Sequence, residues 1–162
     1  MVQAFRTDRG YKIHGAAMRP FSFASFRLHG MRLAAPEGAW EFIEPGLLEV
    51  LRRTKEPWNP EDVRRQLVTG QASLWVCDDG FVVLQKLREE FSCKPYLYVW
   101  VMWFKPGKGR AVRAEVEAWL SEVALQHVGD ARAVKFSSPR IGWKALEPDW
   151  EIERIIWRRK NG

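Results

Sequence analysis

The sequence is poor in cysteine. Cys77 and Cys93 are the two in 162 residues, and their separation fits neither a metal site nor a disulfide framework, so a reducing compartment and idle thiols are expected. Long apolar runs are also missing, and no stretch reaches the roughly 18 residues that a membrane-spanning helix requires. His14, His29 and His127 are scattered with no metal-ligand spacing, so no metal is expected. The chain has no phosphate loop ending in Gly-Lys-Ser/Thr, no His-Glu-x-x-His helix, no Gly-x-Ser-x-Gly elbow and no paired Cys-x-x-Cys, which removes several enzyme classes. Two local absences matter more. No acid falls between Lys105 and Ala114, and no tyrosine follows Tyr98.

What is present suits one soluble domain. Hydrophobic residues make up 46% of the chain and charged residues 28%, an ordinary balance at a length that can bury a real core. Nine tryptophans are many for this length, and most are expected to be core. The net charge of +6 admits nucleic acid, a phosphorylated cofactor or an anionic surface as partner, and equally a plain solvated basic surface. In residues 1–30, Arg6, Arg9, Lys12, Arg19 and Arg27 face the single acid Asp8. That segment reads as an arm, poorly ordered or a start-site extension ahead of Met31, with a transit segment or a nucleic-acid-binding arm as the other readings. The folded domain is expected over residues 31–162.

The chain is organised around residues 96–128. Tyr96-Leu97-Tyr98-Val99-Trp100-Val101-Met102-Trp103-Phe104 is aromatic and β-branched, as in a strand buried on both faces. A regular pleat would send Trp100 and Trp103 to opposite faces. Lys105-Pro106-Gly107-Lys108-Gly109-Arg110 then stops the strand with a tight turn. Val112, Val116, Trp119, Leu120, Val123, Ala124 and Val128 follow at helical spacing, with Gly129 as the C-terminal cap. Free backbone N–H groups at the start of that helix, with Lys105, Lys108, Arg110 and Arg113 beside them, suit a phosphate. A turn that needs glycine for geometry alone and lysine for solubility is the plainer reading.

Around this centre, a helix is expected near Pro45 from Phe42, Ile43, Leu47, Leu48 and Leu51, either begun or interrupted by the proline. A second helix should run from Pro60 to Thr69, capped by Asn59. Strands at Leu74–Cys77 and Phe81–Leu87 flank Asp78-Asp79-Gly80, whose Asp-Gly pair favours a tight hairpin beside the central strand. Ala131–Phe136 should return as a parallel strand, followed by a helical turn at 143–146, a strand at 150–157 and a basic tail. Phe21, Phe23 and Phe26 suggest one short strand in the arm. The sum is an α+β fold, a mixed, largely antiparallel sheet with covering helices.

This order, with a phosphate-ready turn between a central strand and the longest helix, resembles the GNAT (Gcn5-related N-acetyltransferase) family over residues 40–159. The family's Arg/Gln-x-x-Gly-x-Gly/Ala turn is matched by Phe104-Lys105-Pro106-Gly107-Lys108-Gly109, with both glycines in place and Phe104 at the leading position. Gly70-Gln71-Ala72-Ser73-Leu74-Trp75 and Ser138-Pro139-Arg140-Ile141-Gly142-Trp143 look like the small GNAT-like proteins of bacteriophages and prophages. The resemblance implies acetyl-CoA as cofactor. The backbone from Gly107 through Gly109 and Arg110 to Ala111 would bind its pyrophosphate, Lys105, Lys108 and Arg110 would neutralise it, and the edge formed by Val99, Val101 and Trp103 would pair with the pantetheine arm.

Acyl transfer to an amine also needs a proton acceptor and a hydroxyl near the departing thiolate. The family often places a tyrosine after the fifth strand, and this chain has none there. Glu89, Glu90 or Glu41 would have to serve as base, with Ser137 or Ser138 as the hydroxyl. A solvated strand end and a turn before proline are the plainer readings of those residues. The first expectation is therefore an acyl-CoA-binding N-acetyltransferase-like protein with an unknown amine acceptor. The second is a non-catalytic phage or prophage protein on the same fold, in a virion, in assembly or on nucleic acid. No membrane partner is expected, exposed tryptophans would serve a homodimer, and the compartment would be the bacterial cytoplasm or a virion.

Overall fold

The computed structural model describes residues 6–7, 10–11, 27–28 and 30–137. In chain order these form β1 (Arg6–Thr7), β2 (Gly10–Tyr11), β3 (Arg27–Leu28), β4 (Met31–Ala34), α1 (Pro36–Thr54), α2 (Pro60–Val68), β5 (Ala72–Cys77), β6 (Gly80–Arg88), β7 (Pro95–Phe104), α3 (Gly109–Val128) and β8 (Val134–Phe136). β1 and β2 pair with each other, and the other six strands form one sheet in sequence order. Every neighbouring pair in it is antiparallel except β7 and β8. The expected α+β architecture with a mixed, largely antiparallel sheet is present. The expected strand at 21–26, the helical turn at 143–146, the strand at 150–157 and the basic tail lie outside the described residues.

Helix α2 starts where its sequence says. Asn59 Oδ1 accepts from Asp62 N, Asp62 Oδ2 accepts from Asn59 N, each at 3.0 Å, and Pro60 opens the first turn. Helix α1 differs from expectation. It begins at Pro36 and runs through Pro45 without a break. Pro45 is exposed, so the carbonyl it leaves unpaired can be hydrated, while Ile43, Gly46 and Leu47 are buried against the sheet and hold the helix across the proline. A Cβ on Gly46 would lie 2.6 Å from the Phe81 ring and 2.7 Å from the Trp103 ring, so helix and sheet meet in close contact there.

The hairpin forms at the expected place by a different geometry. Cys77 pairs with Gly80, so Asp78 and Asp79 are the two loop residues, and neither has positive φ. Gly80 is the first strand residue, required because a Cβ there would sit 2.3 Å from the Trp103 carbonyl oxygen. β7 carries the second departure. Val83 pairs with Val101 and Leu84 with Val99, which leaves Trp100 as an extra residue, a β-bulge. The pleat is therefore not regular. Leu97 and Val99 face α3, whereas Trp100, Val101 and Trp103 all pack on the α1–α2 side.

Two cores result, one on each face. Val116, Trp119, Leu120, Val123 and Ala124 of α3 meet Met31, Trp75, Val82, Leu84, Leu97 and Val99, with Val112 and Val128 at the margins, as the helical spacing predicts. Ile43, Leu47, Val63 and Leu67 of α1 and α2 meet Leu74, Val76, Phe81, Val83 and Val101 on the other side. β8 runs parallel to β7 and pairs Val134, Lys135 and Phe136 with Leu97, Tyr98 and Val99. It is shorter than Ala131–Phe136 because Asp130 caps the preceding turn, accepting from Arg132 N at 2.8 Å.

Candidate functional site

The strand-to-helix turn is built by its sequence. Lys108 N donates to Lys105 O at 3.0 Å and Gly107 has φ +81°, so Lys105-Pro106-Gly107-Lys108 is a four-residue turn with proline second and a left-handed glycine third. α3 begins at once. Lys108 stands at its N-cap with no side-chain hydrogen bond, and the first turn holds no acid. Val112 N donates to Lys108 O at 3.2 Å as the helix closes its first turn. The N–H groups of Gly109, Arg110 and Ala111 occupy the helical positions that have no intrahelical partner. Gly107 and Gly109 both face open space, the latter with only Phe104 Cβ at 3.9 Å from an added Cβ. Phe104, which replaces the polar leading residue of the motif, packs against the α3-side core.

The basic charge at this turn is less free than the sequence suggests. No acid is near in sequence, but the hairpin turn brings one in space. Lys105 Nζ lies 3.8 Å and Lys108 Nζ 3.9 Å from the Asp79 carboxylate, and Lys105 Nζ donates to Asp78 O at 2.6 Å. All are exposed or partly exposed, so these contacts are weak and screened. An anion at the helix start would rely on backbone N–H groups first.

The edge of β7 divides at Val99. Up to that residue β8 covers it, and beyond Val99 no described strand pairs with that side of β7. Val99 is thus already in the ladder, while Val101 and Trp103 belong to the uncovered length. Trp103 Nε1 donates to Glu49 Oε2 at 2.7 Å, which ties this length of strand to α1.

At the fork between β7 and β8 lies a polar cluster of which the sequence analysis names Ser137 and misses the rest. The Tyr98 and Ser137 hydroxyls are hydrogen-bonded at 2.9 Å. Burial pushes the Tyr98 phenol up; the bond to Ser137 opposes this and the nearby Glu56 carboxylate adds to it. Glu56, in the α1–α2 connection, is itself raised by burial, against a hydrogen bond from Trp58. The Trp58 and Trp100 rings meet edge to face with centroids 6.2 Å apart. Gln85 is the cross-strand partner of Tyr98 and only 8% exposed, and its Oε1 has no partner.

The carboxylates singled out from the sequence sit elsewhere. Glu89 is ion-paired with Lys135, whose ammonium also lies 4.8 Å from the centre of the Tyr96 ring. Glu90 is exposed in the β6–β7 turn, Glu41 is exposed on α1, and Ser138 lies outside the described residues. Glu56 carried no motif. Its signal is three-dimensional, because only folding of the α1–α2 connection onto the bulged strand buries it. A cleft of about 480 Å³ between β4, β5 and the start of α1 holds none of these residues. No helix is long and apolar enough to cross a membrane, and no group of three or more His, Cys, Asp or Glu could hold a metal, both among the described residues.

By sequence the chain matches no family model and no curated protein. Its fold matches solved acetyltransferases. A predicted acetyltransferase with acetyl-CoA from Clostridium acetobutylicum is similar with a TM-score of 0.55 at 11% identity, over 81% of this chain and 94% of that one. The ribosomal-protein-alanine N-acetyltransferase of Brucella melitensis biovar Abortus 2308 is similar with a TM-score of 0.54 at 18% identity, over 82% and 98%. An integron cassette protein from the mobile metagenome of Cole Harbour Salt Marsh gives 0.58 at 15% identity, over 84% and 93%. At these identities the likeness establishes the GNAT acetyltransferase fold.

Proposed function

We propose that this protein is an N-acetyltransferase that takes its acyl group from acetyl-CoA. The observation that carries the reading is the uncapped start of α3, set directly after the glycine turn and beside the length of β7 that β8 leaves uncovered. The two features suit the two halves of the donor. Pyrophosphate would accept from the N–H groups of Gly109, Arg110 and Ala111, with the helix dipole and the adjacent cations assisting. The extended pantetheine arm would pair with the backbone between Val101 and Trp103, as an added strand pairs with an open edge. When bound, acetyl-CoA supplies the activated thioester, and the chain's own task is to bind and orient it and to handle the protons.

The absence of tyrosine beyond Tyr98, Phe104 at the leading motif position and the basic arm lean toward a non-catalytic phage or nucleic-acid role. Against the first of these, the Tyr98–Ser137 pair at the β7–β8 fork supports the catalytic reading, since it offers a hydroxyl from an earlier strand. Calorimetric titration with acetyl-CoA tests the reading. Saturable binding by the wild type that Gly109→Glu loses is the expected result. Absence of binding at millimolar ligand would overturn it.

A further inference from the structure

We infer that the acceptor of this transferase is a primary amine carried on an apolar stem, received as its ammonium between Glu56, Trp58, Tyr98 and Trp100, with Glu56 as the proton acceptor. The inference rests on the acyl-transfer reading and adds the substrate class and the base.

Four observations converge on the fork. Glu56 is half-buried, has no ion-pair partner among the described residues, and has the Trp58 indole beside it. A carboxylate withdrawn from water without a counter-charge gains most from an incoming cation. Lys135, the register partner of Tyr98 on β8, is ion-paired with Glu89 and lies over the Tyr96 ring. Trp58 and Trp100, 6.2 Å apart and inclined at 65°, form an aromatic corner beside that carboxylate. Such a corner holds an ammonium by its π faces and an alkyl or aryl stem by its area. The unpartnered Oε1 of Gln85, the cross-strand neighbour of Tyr98, is a buried acceptor that a donor on the substrate could satisfy. The bulge lets Trp100 and Trp103 share the α1–α2 side, where the Trp100 ring meets Trp58. A polyhydroxylated amine would leave its hydroxyls unpaired against the tryptophans, and that penalty sets the class.

The proton balance closes. Glu56 takes one proton from the ammonium, and the freed amine forms its N–C bond to the thioester carbonyl carbon. The C–S bond breaks with its electron pair on sulfur. The second amine proton reaches that sulfur through the Tyr98 and Ser137 hydroxyls, and Glu56 releases its proton to water. The sum is an ammonium plus an acyl thioester giving an amide, a free thiol and one proton. A raised carboxyl suits the step, because its basicity lies closer to that of the amine.

Acetyl transfer is measured to phenethylamine, to hexylamine and to kanamycin, with acetyl-CoA binding followed calorimetrically in the same preparations. Expected is a kcat/KM for phenethylamine and hexylamine at least about tenfold above that for kanamycin. Glu56→Gln should lower kcat about 100-fold or more with acetyl-CoA affinity unchanged. Trp58→Phe, which keeps an aromatic in place, should lower kcat/KM modestly, and Trp58→Ala strongly, through KM. Binding of acetyl-CoA together with wild-type turnover by Glu56→Gln, or with a preference for kanamycin, overturns the inference and leaves the transferase standing. No acetyl-CoA binding overturns both.

Discussion

The two faces of one sheet are built to different ends, and β7 belongs to both. Toward α3 it presents Leu97 and Val99 to a core in which Trp119 is fully buried against Trp75, ring centres 5.2 Å apart. The Trp119 Nε1 hydrogen is a buried polar group without a partner on that side. Toward α1 and α2 the same strand presents Tyr98, Trp100 and Trp103, each meeting a polar or ring partner: Ser137, Trp58 and Glu49. One bulged residue separates the two programmes. A regular strand would have spent Trp100 and Trp103 on different faces. Both faces thus carry a buried core, while the α1–α2 side also sets a half-buried carboxylate and a pair of hydroxyls against the strand, where they are available for chemistry.

That division can be broken experimentally. Trp119→Ala should cost about 3–5 kcal/mol of stability, read from urea unfolding, because a fully buried indole leaves a large cavity. Losing less than about 1 kcal/mol would mean that the α3 face is not an anchor. Gly46→Ala should cost about 1–3 kcal/mol, since the new methyl meets two packed rings rather than a flexible chain end.

Gly109→Glu sharpens the contrast between stability and binding. An added side chain has room there, and a carboxylate in the first turn of α3 should leave Tm unchanged or raise it, a gain of about 0.3–1 kcal/mol. The same carboxylate should weaken acetyl-CoA binding at least tenfold, about 1.4 kcal/mol. Gly107→Glu is the poorer probe, because φ +81° strains any side chain. Asn59→Ala removes the cap of α2 and should cost about 1 kcal/mol without touching acetyl-CoA affinity.

The smallest effects are those of pH. Glu56 has a folded pKa above its unfolded one, so its protonated form is the better accommodated. Stability should fall as pH rises from the ordinary carboxylate range through the raised folded value, and Glu56→Gln should flatten that slope. His127 runs the other way. Burial, and then Lys86, lower it, so its contribution is full above the unfolded value near 6.5 and is lost as pH falls toward the lower folded value. Its position near the end of α3 suggests a cation favouring the helix dipole, but the fold makes charging it costly. Tm against pH for wild type, Glu56→Gln and His127→Gln checks both signs.

The sequence alone determined the elements whose causes are local. Asn59-Pro60-Glu61-Asp62 set the start of α2, Pro106-Gly107 set the turn, Gly129 set the end of α3, and the spacing from Val112 to Val128 set which side of α3 is buried. The Asp-Gly pair located the hairpin, although Gly80 is needed for the close approach of Trp103 and Phe104 and not for the turn. Only the tertiary structure decided the rest. It carried α1 through Pro45 because buried neighbours outweigh one lost hydrogen bond, and it set Asp79 against lysines that are far from it in sequence. It inserted Trp100 as a bulge, a change of register that no period-2 pattern encodes. Above all it brought Glu56, Trp58, Tyr98, Trp100 and Ser137, spread over 82 residues of chain (56 to 137), to one fork between two strands. Each of these side chains is unremarkable where it stands in sequence, because burial and proximity are properties that only the folded chain confers.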